Sequence, residues 1–213
     1  MTLQIHTIVS QPFDQNTYIV WHEGRHDALV VDPGLEPDLI LDFLREYGLT
    51  PAAILNTHGH ADHIGGNAAL KGAFPAAPLV IGESEAEMLT DAWLNLSAVF
   101  GAPIVSPPAD RTVSEGDHLD YAGISLEVRH IPGHSPGHIV FIHRGDPVRV
   151  LGGDVLFRGS IGRFDFPGGS ESQLLDGIRE KLFDLPDSAI VYPGHGPVTT
   201  ISHEKRTNPY VGL

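Results

Sequence analysis

A chain of 213 residues with 41% apolar side chains can bury a substantial core and is too apolar to be disordered. Its formal net charge of −14 disfavours phosphate backbones, and no run approaches the ~20 apolar residues of a membrane span, so no nucleic-acid or membrane partner is expected. Cysteine is absent, which excludes disulfides, thiolate zinc sites and iron–sulfur clusters and leaves imidazole and carboxylate to hold any metal.

Three short Val- and Ile-rich runs bounded by turn residues, 3–9, 17–21 and 28–31, read as the first strands. The N-terminus shows no basic stretch followed by an apolar run and a cleavage site, so a cytoplasmic location is expected. Val31-Asp32-Pro33-Gly34 turns the chain into a helical pattern of Leu39, Ile40, Phe43, Leu44 and Tyr47, with Glu36 and Asp38 in its first turn and Gly48 at its stop. Further strands are predicted at 53–55, 79–81, 124–129, 139–143, 148–151 and 189–192, and further helices at 67–71, 84–100, 170–182 and 202–206. No repeat or Pro/Ser-rich linker interrupts this alternation, so one domain over 1–213 is expected. Two sheets with helices outside, or one open sheet, both accommodate it.

The chemistry concentrates after the strands. Directly behind 53–55, Asn56-Thr57-His58-Gly59-His60-Ala61-Asp62-His63-Ile64-Gly65-Gly66 packs three imidazoles and a carboxylate into a few residues. Histidines two apart on extended backbone point the same way, so His58 and His60 can grip one ion, while Asp62 and His63 can serve a second beside it. His134 follows the strand at 124–129 in Pro132-Gly133-His134-Ser135-Pro136-Gly137-His138, Asp154 follows 148–151, and His195 follows 189–192 in Pro193-Gly194-His195. Loops at strand ends are where a rigid sheet commonly presents a site. The other histidines, His6, His22, His26, His118, His130, His138, His143 and His203, are assigned to surface or core.

The succession His58-x-His60-x-Asp62-His63, His134, Asp154, His195, with Asp32 after an early strand, resembles the metallo-β-lactamase superfamily over nearly the whole chain. The resemblance implies an α+β fold, a four-layer αββα sandwich with the site along one edge. It also implies two divalent ions, zinc first with iron or manganese as alternatives. His58, His60 and His134 would hold one ion, Asp62, His63 and His195 the other, and Asp154 would bridge them. Asp154 as the bridge, Asp62 on one ion and a bridging hydroxide would supply negative charge between and around the cations, and that hydroxide would be the nucleophile. Asp32 and Ser135 are candidates for supporting the ligands from behind.

Within the superfamily, the stretch 153–169 and the ending His195-Gly196-Pro197 with Thr200, Glu204, Asn208 and Pro209 are most similar to the glyoxalase II (hydroxyacylglutathione hydrolase) group in its short bacterial form. That likeness implies hydrolysis of a small-molecule thioester such as S-lactoylglutathione. The longer members carry a C-terminal helical domain with basic residues for the glutathione carboxylates, and a chain ending at Leu213 is expected to lack it. Where the group has a Lys and a Tyr near the substrate, this sequence shows Arg163 and Asp165; Arg163 can still pair with a carboxylate. Two alternatives stand beside this reading. One is a mononuclear iron persulfide dioxygenase of the same fold, which shares the run Gly162–Phe166 but tends to have Cys where this chain has His138. The other is a metal-binding protein without catalysis.

Overall fold

The computed structural model describes residues 2–212. Two six-stranded mixed sheets, rather than one open sheet, form its centre. The first runs in the order β1 (Leu3–Ser10), β2 (Gln15–His22), β3 (Asp27–Val31), β4 (Thr50–Leu55), β5 (Leu79–Gly82) and β6 (Arg111–Val113). β1 to β3 pair antiparallel, and β3 to β6 pair parallel. The second holds β7 (His118–Tyr121), β8 (Ile124–His130), β9 (Ile139–His143), β10 (Arg149–Gly153), β13 (Ile190–Pro193) and β14 (Thr199–Thr200), in the spatial order β14-β13-β10-β9-β8-β7. A small ribbon, β11 (Leu156–Phe157) with β12 (Ser160–Ile161), stands beside them.

Alternation along each strand explains the layering, because successive side chains leave opposite faces of a sheet. Leu29 and Val31 of β3, Leu55 of β4, Leu126 and Val128 of β8 and Phe141 of β9 share the core between the sheets. Their neighbours turn outward. Ala28, Val30 and Ile54 meet Ile40, Phe43 and Leu44 of α1 (Pro37–Glu46) and Leu70 of α3 (Asn67–Ala73). Val140, Ile142, Val150 and Val191 meet Leu174 of α4 (Glu171–Gly177), Ile178 and Leu182 of the wider turn that continues it, and Ile201 of α5 (Ile201–Thr207). The result is the four-layer αββα sandwich, in which both sheets are apolar on both faces. Among the described residues no helix is long and apolar enough to cross a membrane.

One expected element is corrected. Residues 84–100 do not form a helix: two 3₁₀ segments, Glu83–Leu89 and Ser97–Phe100, are separated by turns. The Asp91 carboxylate accepts from the backbone N–H of Trp93 and Leu94, Asn95 does the same for Ser97, and Leu96 is left-handed at φ 69°. Side chains that bond the local backbone offer it an alternative to the helix. The short strands β6, β7, β11, β12 and β14 went unpredicted, since two to four residues carry too little alternation to be seen.

Candidate metal centre

Five strands deliver the site. β3 and β4 are parallel in one sheet, β10 and β13 are parallel in the other, and β8 is antiparallel to β9, itself antiparallel to β10, so β8 runs with them. The residues following their carboxyl ends are Asp32, the His58–His63 loop, His134, Asp154 and His195. Backbone bonds join the two sheets at this edge, Ile139 N–H to the Thr57 carbonyl (2.9 Å) and Asn16 N–H to that of Gly194 (2.7 Å), while Gly194 N–H to the Gly153 carbonyl (2.7 Å) closes β13 on β10 within the second sheet. The four-residue α2 (Ala61–Ile64) starts just after His60, which keeps extended backbone (φ −66°, ψ 148°) and carries Asp62 and His63 round beside it.

The seven side chains singled out in the sequence converge in two groups. Ligand-type atoms of His58, His60 and His134 lie within 4.8 Å of one another, and so do those of Asp62, His63 and His195. His60 Nδ1 is 2.9 Å from His134 Nε2. In the second group His195 Nε2 is 3.2 Å and His63 Nε2 3.7 Å from Asp62 Oδ2. Asp154 stands between the groups: Oδ1 is 3.4 Å from His63 Nε2, and Oδ2 is 3.5 Å from both His134 Nε2 and His195 Nε2. Asp32, His58 and His63 make a third close trio, but both Asp32 oxygens already accept hydrogen bonds from Thr57, so Asp32 is a support rather than a further site.

The hydrogen-bond network assigns the ring tautomers. A carbonyl oxygen only accepts, so His134 Nδ1, 2.7 Å from the Arg163 carbonyl, and His195 Nδ1, 2.9 Å from that of Phe13, must donate. Thr57 Oγ1 donates to Asp32 Oδ2 (2.7 Å) and therefore accepts from His58 Nδ1 (3.1 Å). His63 Nδ1 faces Asp32 Oδ2 at 3.0 Å. Each bond protonates the rear nitrogen and leaves the Nε2 lone pair facing the centre, the arrangement that accompanies a metal-ligating imidazole. His58 Nε2, His63 Nε2 and Asp154 Oδ1 are buried and have no hydrogen-bond partner. Buried polar atoms are otherwise nearly always satisfied, so these donors fit divalent cations.

The electrostatics separate the two groups, lowering the histidines of the first and raising those of the second. Burial holds His58, with its histidine neighbours, well below the usual imidazole range, pulls His60 down to about 3, and lowers His134 despite Asp154. Those rings are neutral, the form that coordinates. For His63 burial also acts downward, but Asp154 and Asp62 overcome it and raise the ring well above its ordinary value, so with no cation beside these carboxylates Nε2 carries a proton, which a bound metal would replace. Asp62 and Asp154 are lowered against the burial that opposes them, chiefly by His63, and stay ionised.

Two glycines are dictated by this crowding. A Cβ on Gly194 would overlap Asp154 Oδ1 and approach His63 Cε1 to 2.7 Å. Gly153, left-handed at φ 47°, brings Asp154 off β10, and a Cβ there would meet Thr57 and His138.

Sequence reasoning missed two supporting residues. Glu85 is fully buried, accepting from Gly59 N–H (2.9 Å) and Gly137 N–H (2.6 Å), and so ties the His58–His60 loop to the His134 loop. His138, assigned to surface or core, is buried on His58 (ring centroids 4.7 Å), and its Nε2 accepts the Asp154 N–H at 3.0 Å. The Pro132–His138 run was the available signal for His138; a single acidic residue in a turn gave none for Glu85. Ser135 is buried and does not line the cavity in front of the centre.

That cavity, about 400 Å³, has His60, Asp62, His134, Asp154 and His195 at its floor. Arg163 lines it too, but its guanidinium is held by Asp165 through two bonds (2.8 and 3.0 Å) and lies 3.9 Å over the Phe166 ring.

The family model described as the metallo-beta-lactamase superfamily matches residues 10–195. The chain is 37% identical over 212 residues to the hydroxyacylglutathione hydrolase GloC of Haemophilus influenzae, covering 98% of each protein. It superposes on the crystal structure of the BLEG-1 B3 metallo-beta-lactamase with a TM-score of 0.93 at 36% identity, over 98% of this chain and 99% of that one. The structure of TTHA1623 in a di-iron-bound form gives a TM-score of 0.85 at 37% identity, over 96% and 99%.

Proposed function

We infer that this chain, which belongs to the metallo-beta-lactamase superfamily, is a metal-dependent hydrolase of thioesters, with S-lactoylglutathione as the reference substrate. The observation that carries the reading is the position of Asp154, shared between two clusters of inward-facing imidazoles, with a buried oxygen that nothing in the protein satisfies. In this proposal His58, His60 and His134 would hold one cation and Asp62, His63 and His195 the second, with Asp154 placed to serve both. Zinc is the first choice; the di-iron form of TTHA1623 keeps iron open. Two bound cations would supply Lewis acidity at the acyl carbonyl and bring a water pKa toward ~7.

The protein's own groups set the conditions for that chemistry. Asp62 and Asp154, the carboxylates facing the cavity, remain ionised and offset charge on the cluster. Thr57, Asp32 and the carbonyls of Phe13 and Arg163 hold the Nδ1 protons of His58, His63, His195 and His134 on the side away from the centre. The apolar wall formed by Phe157, Ile161 and Phe166 limits water around the scissile carbonyl. A thiol leaves readily as thiolate because its pKa is only about 8.5.

The name of the Haemophilus GloC protein, a hydroxyacylglutathione hydrolase, supports the thioester class. Steady-state assays with S-lactoylglutathione beside a lactone, a β-lactam and a phosphodiester, with metal analysis on the same sample, test the reading. Thioester turnover with two metals per chain is expected. One iron per chain, oxygen uptake with glutathione persulfide and no thioester turnover would replace it with the dioxygenase alternative. No turnover of anything by metal-loaded protein would leave a binding protein.

A further inference from the structure

We propose that the preferred substrate carries an apolar acyl group, at least a short alkyl chain or an aryl ring, on a thiol that need not be anionic. The inference rests on the thioester reading and concerns the cavity in front of the metal centre.

Phe13, Leu96, Phe157, Ile161 and Phe166 rise from the floor of the cavity as its walls. Of the two neutral polar residues among them, Asn95 has its groups committed elsewhere and Ser160 has its carbonyl committed. The Asn95 amide donates to the carbonyls of Met88 (3.1 Å) and Ile104 (2.9 Å), and its oxygen accepts from Ser97 N–H (3.0 Å) and Oγ (2.6 Å). Ser160 Oγ contacts the Ile161 carbonyl at 3.5 Å, and the Ser160 carbonyl accepts from Asn208 (3.0 Å). A lactoyl hydroxyl would meet few free partners on such a wall. An alkyl chain needs none, and gains by leaving water.

Leu96 reinforces the point. It is half-buried, not glycine, and left-handed at φ 69°, a conformation that costs a branched-chain residue about 1 kcal/mol or more. The bonds of Asn95 and Ser97 hold the loop in that shape, and the outcome is an isobutyl group on the cavity wall. The exposed side chains of Trp93 and Leu94, on the residues leading into this pair, extend the apolar character to the outside.

Charge argues against a dicarboxylate carrier as the feature recognised. Arg163 is the one Lys or Arg lining the cavity among the described residues, and Asp165 holds it bidentately at the exposed mouth. The pair is neutral as a unit, so away from the metal centre the lining adds no net positive charge to attract an anion.

The test compares metal-loaded protein on acetyl, butyryl, hexanoyl and octanoyl thioesters of uncharged N-acetylcysteamine, with S-lactoylglutathione and S-hexanoylglutathione alongside. Burial of each methylene is expected to raise kcat/KM by about fourfold until the cavity is filled. The two hexanoyl carriers should differ little. Leu96→Asn, which suits a left-handed backbone but is polar, should flatten the dependence on chain length. Arg163→Gln should leave the ratio of the two hexanoyl carriers unchanged. Calorimetry with S-alkyl thioethers of N-acetylcysteamine gives a second readout that needs no turnover: affinity should grow, and the heat-capacity change become more negative, with chain length. A flat series, S-lactoylglutathione as the best substrate, or a selective loss of glutathione thioesters in Arg163→Gln would overturn the inference. If no thioester is cleaved yet the thioethers bind with the expected length dependence, the hydrolase reading fails and the apolar site stands.

Discussion

Asp32 grips Thr57 with both carboxylate oxygens, Oδ1 accepting the backbone N–H and Oδ2 the hydroxyl, each at 2.7 Å, and the same Oδ2 lies 3.0 Å from His63 Nδ1. Through the Thr57 hydroxyl this one buried carboxylate orients His58 as well, so a residue outside both clusters governs a ring in each. Asp32→Ala should leave the Thr57 donors unpaired, at about 1–3 kcal/mol for each buried group. It should also weaken metal binding by about 10–100-fold. Asp32→Asn tolerates the left-handed backbone at this position (φ 49°) and should fall between the two. Thermal melts and metal titrations of the three proteins check that order; an Ala variant with unchanged metal affinity would remove Asp32 from the support of the site.

Glu85 gives a pH-dependent prediction. Burial raises its carboxyl above the ordinary 4.5, against the lowering effect of Ser135 and the N–H groups of Gly59 and Gly137. An acid raised in the folded state favours folding in its protonated form. That contribution is full below the 4.5 of the unfolded chain and is lost as pH rises through the higher folded value. Glu85→Gln cannot ionise, so the Tm of the wild type minus that of the variant should decrease across this window. An increase would reverse the assigned sign. At fixed pH the variant should also lose turnover, since one of the two loop N–H groups meets an amide NH₂ in place of an oxygen.

The fold and the centre were legible in the sequence to different depths. His58, His60, Asp62 and His63 stand out because the ligands are local, within one loop, and His134, Asp154 and His195 because each follows a recognisable strand. The supports were legible only where they lay in a motif, as Asp32 did. Glu85 acts across 26 residues on Gly59 and 52 on Gly137, a relation that periodicity does not carry. The segment 84–100 misled for a related reason: its apolar residues suggested a helix, whereas Asp91 and Asn95 bind the local backbone and Leu96 breaks the turn. The cavity wall assembled from Phe13, Leu96 and Phe166 is a product of tertiary contact alone.

Gly194 tests the closeness of the approach at Asp154. A methyl group there has no free space, being confronted by Asp154 Oδ1 and His63 Cε1. Gly194→Ala should therefore displace Asp154, lowering kcat/KM by about 100-fold or more with a smaller effect on folding. Gly196→Ala is the control for nearby glycine loss: it has no neighbour within 4 Å, though its φ of 74° adds backbone strain. Equal kinetic losses in both variants would show that backbone strain, not the approach to Asp154, governs the effect.

Metal removal should cost stability as well as activity. The centre collects two carboxylates and five imidazoles, with His58, His63 and His138 fully buried around them and three inward-facing atoms unsatisfied by the protein. A cation bound at about 1,000 times its Kd adds about 4 kcal/mol to the folded state. For a chain of this length each kcal/mol moves Tm by about 2–4 °C, so exhaustive chelation should lower Tm by about 8–16 °C. The drop should be much smaller in His58→Ala, because part of the binding energy is already lost in that variant. Differential scanning calorimetry before and after chelation, with zinc, iron or manganese restored in turn, measures both effects. A wild-type Tm indifferent to chelation and to every restored ion would mean that the convergent imidazoles satisfy one another, and the metal assignment would fall with it.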